Sequence, residues 1–221
     1  MQPLDYCREK AQTSHSNFLA SFRFLAPAQR DAMTILYAYC RELDDIVDDS
    51  RDPGVARATL AWWRQDLSKV FQANAAPEHP VNQALRSISP TFRLPENELA
   101  DIINGMEMDL HHVRYAAFDD LRYYCYRVAG VVGRLIARIL GFDSAQTLQY
   151  AETLGLALQL TNIIRDVGED ARMGRIYLPQ EDLQRFGVSE QDIFSANATP
   201  EFARLMQFQY ERALNTYREA V

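Results

Sequence analysis

Apolar residues recur at helical spacing along almost the whole chain of 221 residues. Few stretches alternate Val, Ile or Thr with polar residues, as half-buried strands do. The pattern therefore predicts an all-α protein. The predicted helices cover about Leu4–Ala20, Ala28–Asp49, Gly54–Ala75, Pro80–Ser89, Pro95–Leu110, Phe118–Leu140, Ser144–Ala171 and Pro200 to the end of the chain.

The breaks between these helices are short and contain proline or glycine, and none is long enough to be an interdomain linker. The chain has no low-complexity tract and no repeat with a period of roughly 20 to 50 residues. We therefore expect a single helical domain over residues 1–221. Because the last helical pattern continues to Val221 without a polar tail, we also expect that a longer protein has been truncated at its C-terminus.

The charge pattern and the hydropathy pattern limit the partners of the chain. The net charge is −7, and the basic residues never form a run of five, so nucleic acid is not expected as a partner. No segment reaches the roughly 18 apolar residues of a membrane span, and the N-terminus lacks the order of a signal peptide. We expect a cytoplasmic protein whose contact with the inner membrane, if it has one, is peripheral.

One predicted helix carries four aspartates within six positions. At about 100° per residue, Tyr37, Arg41, Asp44, Asp45 and Asp48 share one face of this helix. Asp44 and Asp48 are like charges four residues apart, an arrangement that costs about 0.2–0.5 kcal/mol. A divalent cation would offset this repulsion, but a solvated acidic face would explain the cluster as well. This cluster alone leaves the two interpretations open.

A second polar row lies on the predicted helix Ser144–Ala171. Gln159, Asn162, Asp166 and Asp170 share one face beside an apolar stripe, which indicates a row that faces inward. Carboxylate and carboxamide oxygens suit Mg²⁺, particularly together with phosphate oxygens. Two such helices facing each other could hold several Mg²⁺ ions against a diphosphate. The neighbouring arginines could bind phosphate or could simply balance the aspartates.

Between the two clusters, Ala129, Gly130 and Gly133 place small side chains on one face of a helix. Each glycine costs about 1 kcal/mol relative to alanine inside a helix. The small residues allow something bulky to approach the backbone. That neighbour could be another helix or a long apolar substrate.

These segments resemble the squalene and phytoene synthases, a family of trans-prenyltransferases. The resemblance covers essentially the whole chain. The motifs that carry it are D-x-x-x-D at Asp44–Asp48, Y-x-x-x-V-A-G-x-V-G at Tyr124–Gly133, Q-x-x-N-x-x-R-D-x-x-E-D at Gln159–Asp170 and G-R-I-Y-L-P at Gly174–Pro179.

The resemblance implies an antiparallel helical bundle of the isoprenoid synthase type around a central cavity. It implies two or three Mg²⁺ ions, bound with diphosphate. The expected metal ligands are Asp44, Asp45, Asp48, Asn162, Asp166 and Asp170. The expected substrate-binding residues are Phe18, Tyr37, Arg41, Ala129, Gly130, Gly133, Gln159 and Arg175, and the expected catalytic residues are Tyr124, Arg165 and Tyr177.

Within the family, segments such as Ala61–Arg64, His79–Val81 and Gly105–Leu110 most resemble the bacterial presqualene diphosphate synthases of hopanoid biosynthesis. This likeness implies that the chain condenses two farnesyl diphosphates head to head to presqualene diphosphate. It implies no requirement for NADPH, and it suggests downstream squalene-forming enzymes as partners.

Two alternatives remain at this stage. One is a squalene or dehydrosqualene/phytoene synthase, which a requirement for NADPH would separate from presqualene diphosphate synthesis. The other is a non-catalytic helical assembly factor, which would have no reason to keep both aspartate clusters. One departure from the family lies at Ser14–Phe18, where many relatives carry a polar S-x-S-F pattern with a nearby His and Lys.

Overall fold

The computed structural model describes residues 1–13, 17–50, 52–110 and 114–220. Within these ranges all regular elements are helical, which confirms the all-α prediction. None of the described helices is long and apolar enough to cross a membrane. The α-helices are α1 Pro3–Thr13, α2 Pro27–Asp48, α3 Pro53–Val70, α4 Pro80–Phe92, α5 Glu96–Leu110, α6 Phe118–Cys125, α7 Val131–Leu140, α8 Ala145–Arg172, α9 Gln180–Phe186, α10 Glu190–Phe194 and α11 Pro200–Glu219.

The described chain divides into two compact units. Unit 1 comprises residues 1–110 and 135–143, and unit 2 comprises 114–134 and 144–220. In unit 1, α1 packs on α2 and α4, and α3 packs on α5. The core of this unit contains the fully buried Tyr39, whose hydroxyl donates to the carbonyl of Leu99 at 3.0 Å. This bond satisfies the one polar group of a side chain that is completely buried.

In unit 2, the long helix α8 contacts α6, α10 and α11. It also packs against a π-helical turn, Tyr126–Gly130, which lies between α6 and α7. The predicted helix Phe118–Leu140 is therefore observed as an α-helix, a π turn and a second α-helix. Single π turns are frequent at functional sites, and this turn contains two of the small residues that the sequence singled out.

Two predicted boundaries are wrong. Helix α4 continues past the predicted end at Ser89 and includes Pro90 in its last turn. It ends at Phe92, where Arg93 adopts the left-handed conformation (φ 51°). Helix α3 ends at Val70 rather than Ala75, since the next residues form tighter turns, such as Phe71 N–H to Ser68 carbonyl at 3.2 Å. Of the predicted helix Leu4–Ala20, the described part comprises α1, Pro3–Thr13, and the start of a 3₁₀-helix, Asn17–Phe24.

Candidate active site

The acidic face of α2 lies at the C-terminal end of that helix, in unit 1. Asp48 is the last helical residue, so the helix dipole adds to the repulsion among the carboxylates. Arg41 bridges two of them: Nη1 lies 3.1 Å from Asp44 Oδ2, and Nη2 lies 2.7 Å from Asp45 Oδ1. Tyr37, one turn earlier, is half-buried. The structure therefore brings together the predicted Tyr-Arg-Asp face, with Arg41 as its internal cation.

A second cation reaches this face from α1. Lys10 Nζ lies 2.8 Å from Asp45 Oδ2 and 3.1 Å from Glu42 Oε1, and Glu42 in turn accepts a hydrogen bond from Tyr6. Asp45 thus has two basic partners and fastens α2 to α1. Sequence reasoning did not assign Lys10 to the site, although it is one of only two lysines in the chain.

Asp44 is the most perturbed carboxyl of the acidic face. Partial burial and the neighbouring charge of Asp48 raise its pKa from 3.8 to about 6, against the opposing effect of Arg41. Two carboxylates held one turn apart, with a raised pKa on one of them, form a site that a divalent cation would stabilise. The donor chemistry of this face therefore fits Mg²⁺.

Asp44→Asn is expected to stabilise the metal-free protein at pH 8 by about 1 kcal/mol, a value that allows for solvent screening of a half-exposed side chain. A carboxyl with a raised folded-state pKa costs free energy when it is ionised, so the gain is present above pH 6 and vanishes below about pH 4. Urea unfolding at pH 8 and pH 4 measures the difference. Equal stabilities of the two proteins at pH 8 would contradict it.

The second polar row lies on α8, in unit 2. Gln159, Asn162, Asp166 and Asp170 are all half-buried, and Leu160 and Ile163 of the adjacent stripe are buried. Asn162 Nδ2 donates to Gln159 Oε1 at 3.3 Å. The row is therefore neither fully solvated nor fully packed, as expected for oxygen ligands that must stay accessible to a bound ion.

Arg165 grips the neighbouring Asp166. Its Nε and Nη2 lie 2.6 Å from the two carboxylate oxygens of Asp166, in a bidentate pair. The guanidinium itself is mostly exposed. In the metal-free chain, Arg165 therefore supplies the positive charge next to the carboxylate that is predicted to bind Mg²⁺. The same fork geometry suits a phosphate.

Arg165→Gln is expected to have opposite effects on metal binding and on turnover. Without the competing guanidinium, Mg²⁺ alone should bind α8 about threefold more tightly, since a paired charge of this exposure contributes about 0.2–1 kcal/mol. Turnover should fall at least ~10-fold, because a phosphate-binding cation is lost. Competition of Mg²⁺ against Mn²⁺, followed by electron paramagnetic resonance, measures the first effect. Weaker metal binding by the variant would argue against this competition.

The segment after α8 carries two more predicted residues. Gly174, with a positive φ of 76°, reverses the chain, and the N–H of Arg175 donates to the carbonyl of Asp170 at 2.8 Å. This turn places the backbone of Arg175 directly beside the last residue of the polar row. Tyr177 follows two residues later in a non-helical stretch.

Three tyrosines form one stack in unit 2. The ring centroids of Tyr124 and Tyr177 are 5.4 Å apart with an interplanar angle of 22°, and Tyr115 lies 5.5 Å from Tyr124. Tyr115 and Tyr124 are buried, while Tyr177 is half-buried. The structure thus brings together the two tyrosines that were predicted to be catalytic. Sequence reasoning missed Tyr115, which no local motif marks.

The small-residue face has a helix as its neighbour. A Cβ added to Gly133 would lie 2.2 Å from the carbonyl oxygen of Ala151 on α8, and a Cβ added to Gly155 would lie 2.4 Å from the carbonyl oxygen of Ala129. Of the two neighbours considered from the sequence, the helix is therefore present. Sequence reasoning did not single out Gly155. Substrate binding by Ala129, Gly130 and Gly133 stays a prediction.

Other predicted residues lie apart or outside the description. Phe18 belongs to a 3₁₀-helix, Asn17–Phe24, but its side chain and residues 14–16 lie outside the described residues. A groove of about 980 Å³ in unit 2, lined by residues such as Tyr126 and Leu156, contains none of the predicted site residues. Over the ranges that the structure describes, no three His, Cys, Asp or Glu side chains by themselves form a ready-made metal cage.

Curated proteins similar to this chain include phytoene synthases. The chain is 38% identical to the 15-cis-phytoene synthase of Synechococcus elongatus, over 97% of the chain and 73% of that protein. It is 37% identical to the chloroplastic phytoene synthase 3 of Zea mays, of which it spans about half, 51%.

Two solved structures have nearly the same fold. Squalene synthase HpnC of Alicyclobacillus acidocaldarius superposes with a TM-score of 0.90 at 29% identity, over 99% of this chain and 81% of that one. A dehydrosqualene synthase solved with a ligand also gives 0.90, at 32% identity, over 99% of this chain and 75% of that one. These matches identify the isoprenoid synthase fold.

The family model described as squalene/phytoene synthase matches residues 11–221 of this chain. This range includes both aspartate helices and the tyrosine stack. Members of this family are head-to-head prenyltransferases. The chain belongs to the squalene/phytoene synthase family.

Proposed function

We propose that the chain is a Mg²⁺-dependent prenyltransferase that condenses two farnesyl diphosphates head to head to presqualene diphosphate. The observation that supports this most is the presence of two polar rows in a member of this family: the row on α2 ends at the exposed Asp48, and the row on α8 is half-buried. Asp44 and Asp48 are like charges one turn apart at the C-terminal end of α2, and a protein without catalysis has no reason to keep their repulsion. Hopanoid or squalene biosynthesis, close to the inner membrane, is the corresponding setting.

The chemistry assigns separate tasks to the side chains. In the proposed reaction the C1–O bond of one allylic diphosphate breaks, and the diphosphate leaves with the electron pair. Mg²⁺ bound by Asp44 and Asp48 on α2, and Mg²⁺ bound by Asp166 and Asp170 on α8, would neutralise the growing negative charge. Arg165 exchanges its carboxylate partner for a phosphate oxygen, a change that its bidentate geometry permits.

The second farnesyl chain then attacks through its 2,3 double bond, and loss of a proton closes the cyclopropane ring. The stacked rings of Tyr124 and Tyr177 exclude water from the carbocation and offer it an electron-rich face. Either the hydroxyl of Tyr124 or the departed diphosphate accepts the proton.

A second candidate is phytoene synthesis from two geranylgeranyl diphosphates. The curated relatives at 36–38% identity are phytoene synthases, whereas the two structures with a TM-score of 0.90 are squalene and dehydrosqualene synthases. Both candidates begin with the same head-to-head condensation, but phytoene synthesis uses longer prenyl chains and also removes the second diphosphate to give a hydrocarbon.

The deciding experiment gives the purified chain farnesyl or geranylgeranyl diphosphate with Mg²⁺, each with and without NADPH. Mass spectrometry then follows the diphosphate and hydrocarbon products, with EDTA as the blank. A C30 diphosphate that accumulates even with NADPH supports presqualene diphosphate synthesis, and squalene that forms only with NADPH indicates a squalene synthase. A C40 hydrocarbon from geranylgeranyl diphosphate indicates phytoene synthesis. No product from either substrate, with a folded and Mg²⁺-binding chain, would favour the non-catalytic alternative.

A further inference from the structure

Tyr177 and Tyr115 are the two members of the tyrosine stack that lie outside the helices. Residues 175–179 have no helical hydrogen bonding, whereas Tyr124 lies within α6. A side chain on such a segment keeps its position only if other contacts fix the backbone on both sides of it. On the N-terminal side the N–H of Arg175 donates to the carbonyl of Asp170, and on the C-terminal side the contacts lie at the start of α9.

The start of α9 is tied to the segment that precedes α6. The N–H of Gln180 donates to the carbonyl of Tyr115 at 2.8 Å, and the N–H of Glu181 donates to the carbonyl of Ala116 at 3.1 Å. In the reverse direction, the N–H of Phe118 donates to Glu181 Oε1 at 2.7 Å. These three bonds connect the start of α9, which follows Tyr177, to Tyr115 and to the start of α6, the helix that contains Tyr124.

Helix α9 has only seven residues, too few for stability on its own. A buried carboxylate anchors it to α11. Asp182 is 3% exposed and accepts from Arg212 Nη1 at 2.5 Å, from Arg212 Nη2 at 3.2 Å and from Gln209 Nε2 at 2.8 Å. The guanidinium of Arg212 also lies 4.1 Å from the ring centroid of Phe118, the first residue of α6.

We propose that Asp182, Arg212 and Gln209 are positioning residues for Tyr177. Their network holds α9 against α11 and against the start of α6, and the backbone bonds of residues 180 and 181 pass this constraint on to the tyrosine stack. None of the three needs to touch substrate. This inference rests on the proposed function only for the role of Tyr177 in turnover, and the placement of the ring can be measured without it.

The test uses the chain labelled with 3-fluorotyrosine, in which the ¹⁹F resonance of Tyr177 is identified by its loss in Tyr177→Phe. Arg212→Lys keeps the charge but loses the fork, and Gln209→Met removes two hydrogen bonds at similar volume, the one donated to Asp182 and the one accepted from Arg212. Both variants are expected to shift or broaden the Tyr177 resonance. Arg185→Lys is the matched control, because Arg185 and Arg212 each lie 4.7 Å from the ring centroid of Phe208, but Arg185 is not part of the network on Asp182.

In the same variants, kcat with farnesyl diphosphate should fall about 10-fold in Arg212→Lys, while KM stays within about twofold, since misplacement of a reacting group acts mainly on turnover. Combination with Tyr177→Phe should give less than the product of the two effects. A lowered melting temperature with an unchanged Tyr177 resonance would overturn the proposal and leave a purely structural network. If the parent chain makes no prenyl product, the proposed function fails, and the ¹⁹F result still decides the positioning role.

Discussion

Replacement of Asp48 or Asp166 by alanine is expected to lower prenyl transfer by at least ~100-fold while the helical fold is kept. Each carboxylate is the predicted metal ligand at the end or in the middle of its polar row, and loss of one ligand weakens the charge that the departing diphosphate requires. Both side chains lie outside the buried core, so neither substitution leaves a cavity. Mass spectrometry of the product measures the loss of prenyl transfer, and far-UV circular dichroism measures whether the helical fold is kept.

Asp49→Ala is the matched control. Asp49 is exposed and adjacent to Asp48, but it lies beyond the last helical residue of α2. Its removal changes the net charge by the same amount, so a general electrostatic effect would appear in both variants. Turnover of Asp49→Ala should stay within about twofold of the parent chain, as for an ordinary surface change. Undiminished turnover in Asp48→Ala or in Asp166→Ala would refute the metal assignment.

Periodicity predicted the two functional helices well because both are long and clearly delimited. Helix α2 begins at a proline, and Ser144 caps α8 by accepting from the N–H of Thr147. The short helices α9 and α10, of seven and five residues, were missed because so few residues do not display a period. The anchoring of Tyr177 through Asp182 was therefore invisible from the sequence.

The partners of the site residues were harder to predict than the residues themselves. Lys10 reaches Asp45 across 35 positions, and Tyr115 meets Tyr177 across 62, separations over which local patterns carry no signal. Arg165 and Asp166 both belong to the sequence motif, but the motif does not indicate that their side chains form an ion pair. The motifs predicted which residues carry the chemistry, and the structure shows which of their charges are paired.

Gly155→Ala is expected to destabilise the protein by about 3 kcal/mol, at the upper end of the range for an overpacked contact. The added Cβ would lie 2.4 Å from the carbonyl oxygen of Ala129 and 3.0 Å from the Cα of Gly130. These are backbone atoms, so the clash is relieved only if the helices move apart. Urea unfolding followed by circular dichroism measures the loss.

Gly168→Ala, on the same helix, is the matched control, and its effect should have the opposite sign. No atom lies within 4 Å of its added Cβ, so alanine should stabilise α8 by about 0.5–1 kcal/mol through helix propensity alone. Because Ala129 and Gly130 belong to the π turn that follows Tyr124, moving the helices apart would also displace residues predicted to bind substrate. Gly155→Ala should therefore lose more activity than its loss of folded protein explains. If instead Gly155→Ala were as stable as Gly168→Ala, the two helices could not cross this closely, and the small residues at 129, 130 and 133 would be explained better by a bulky substrate than by a helix.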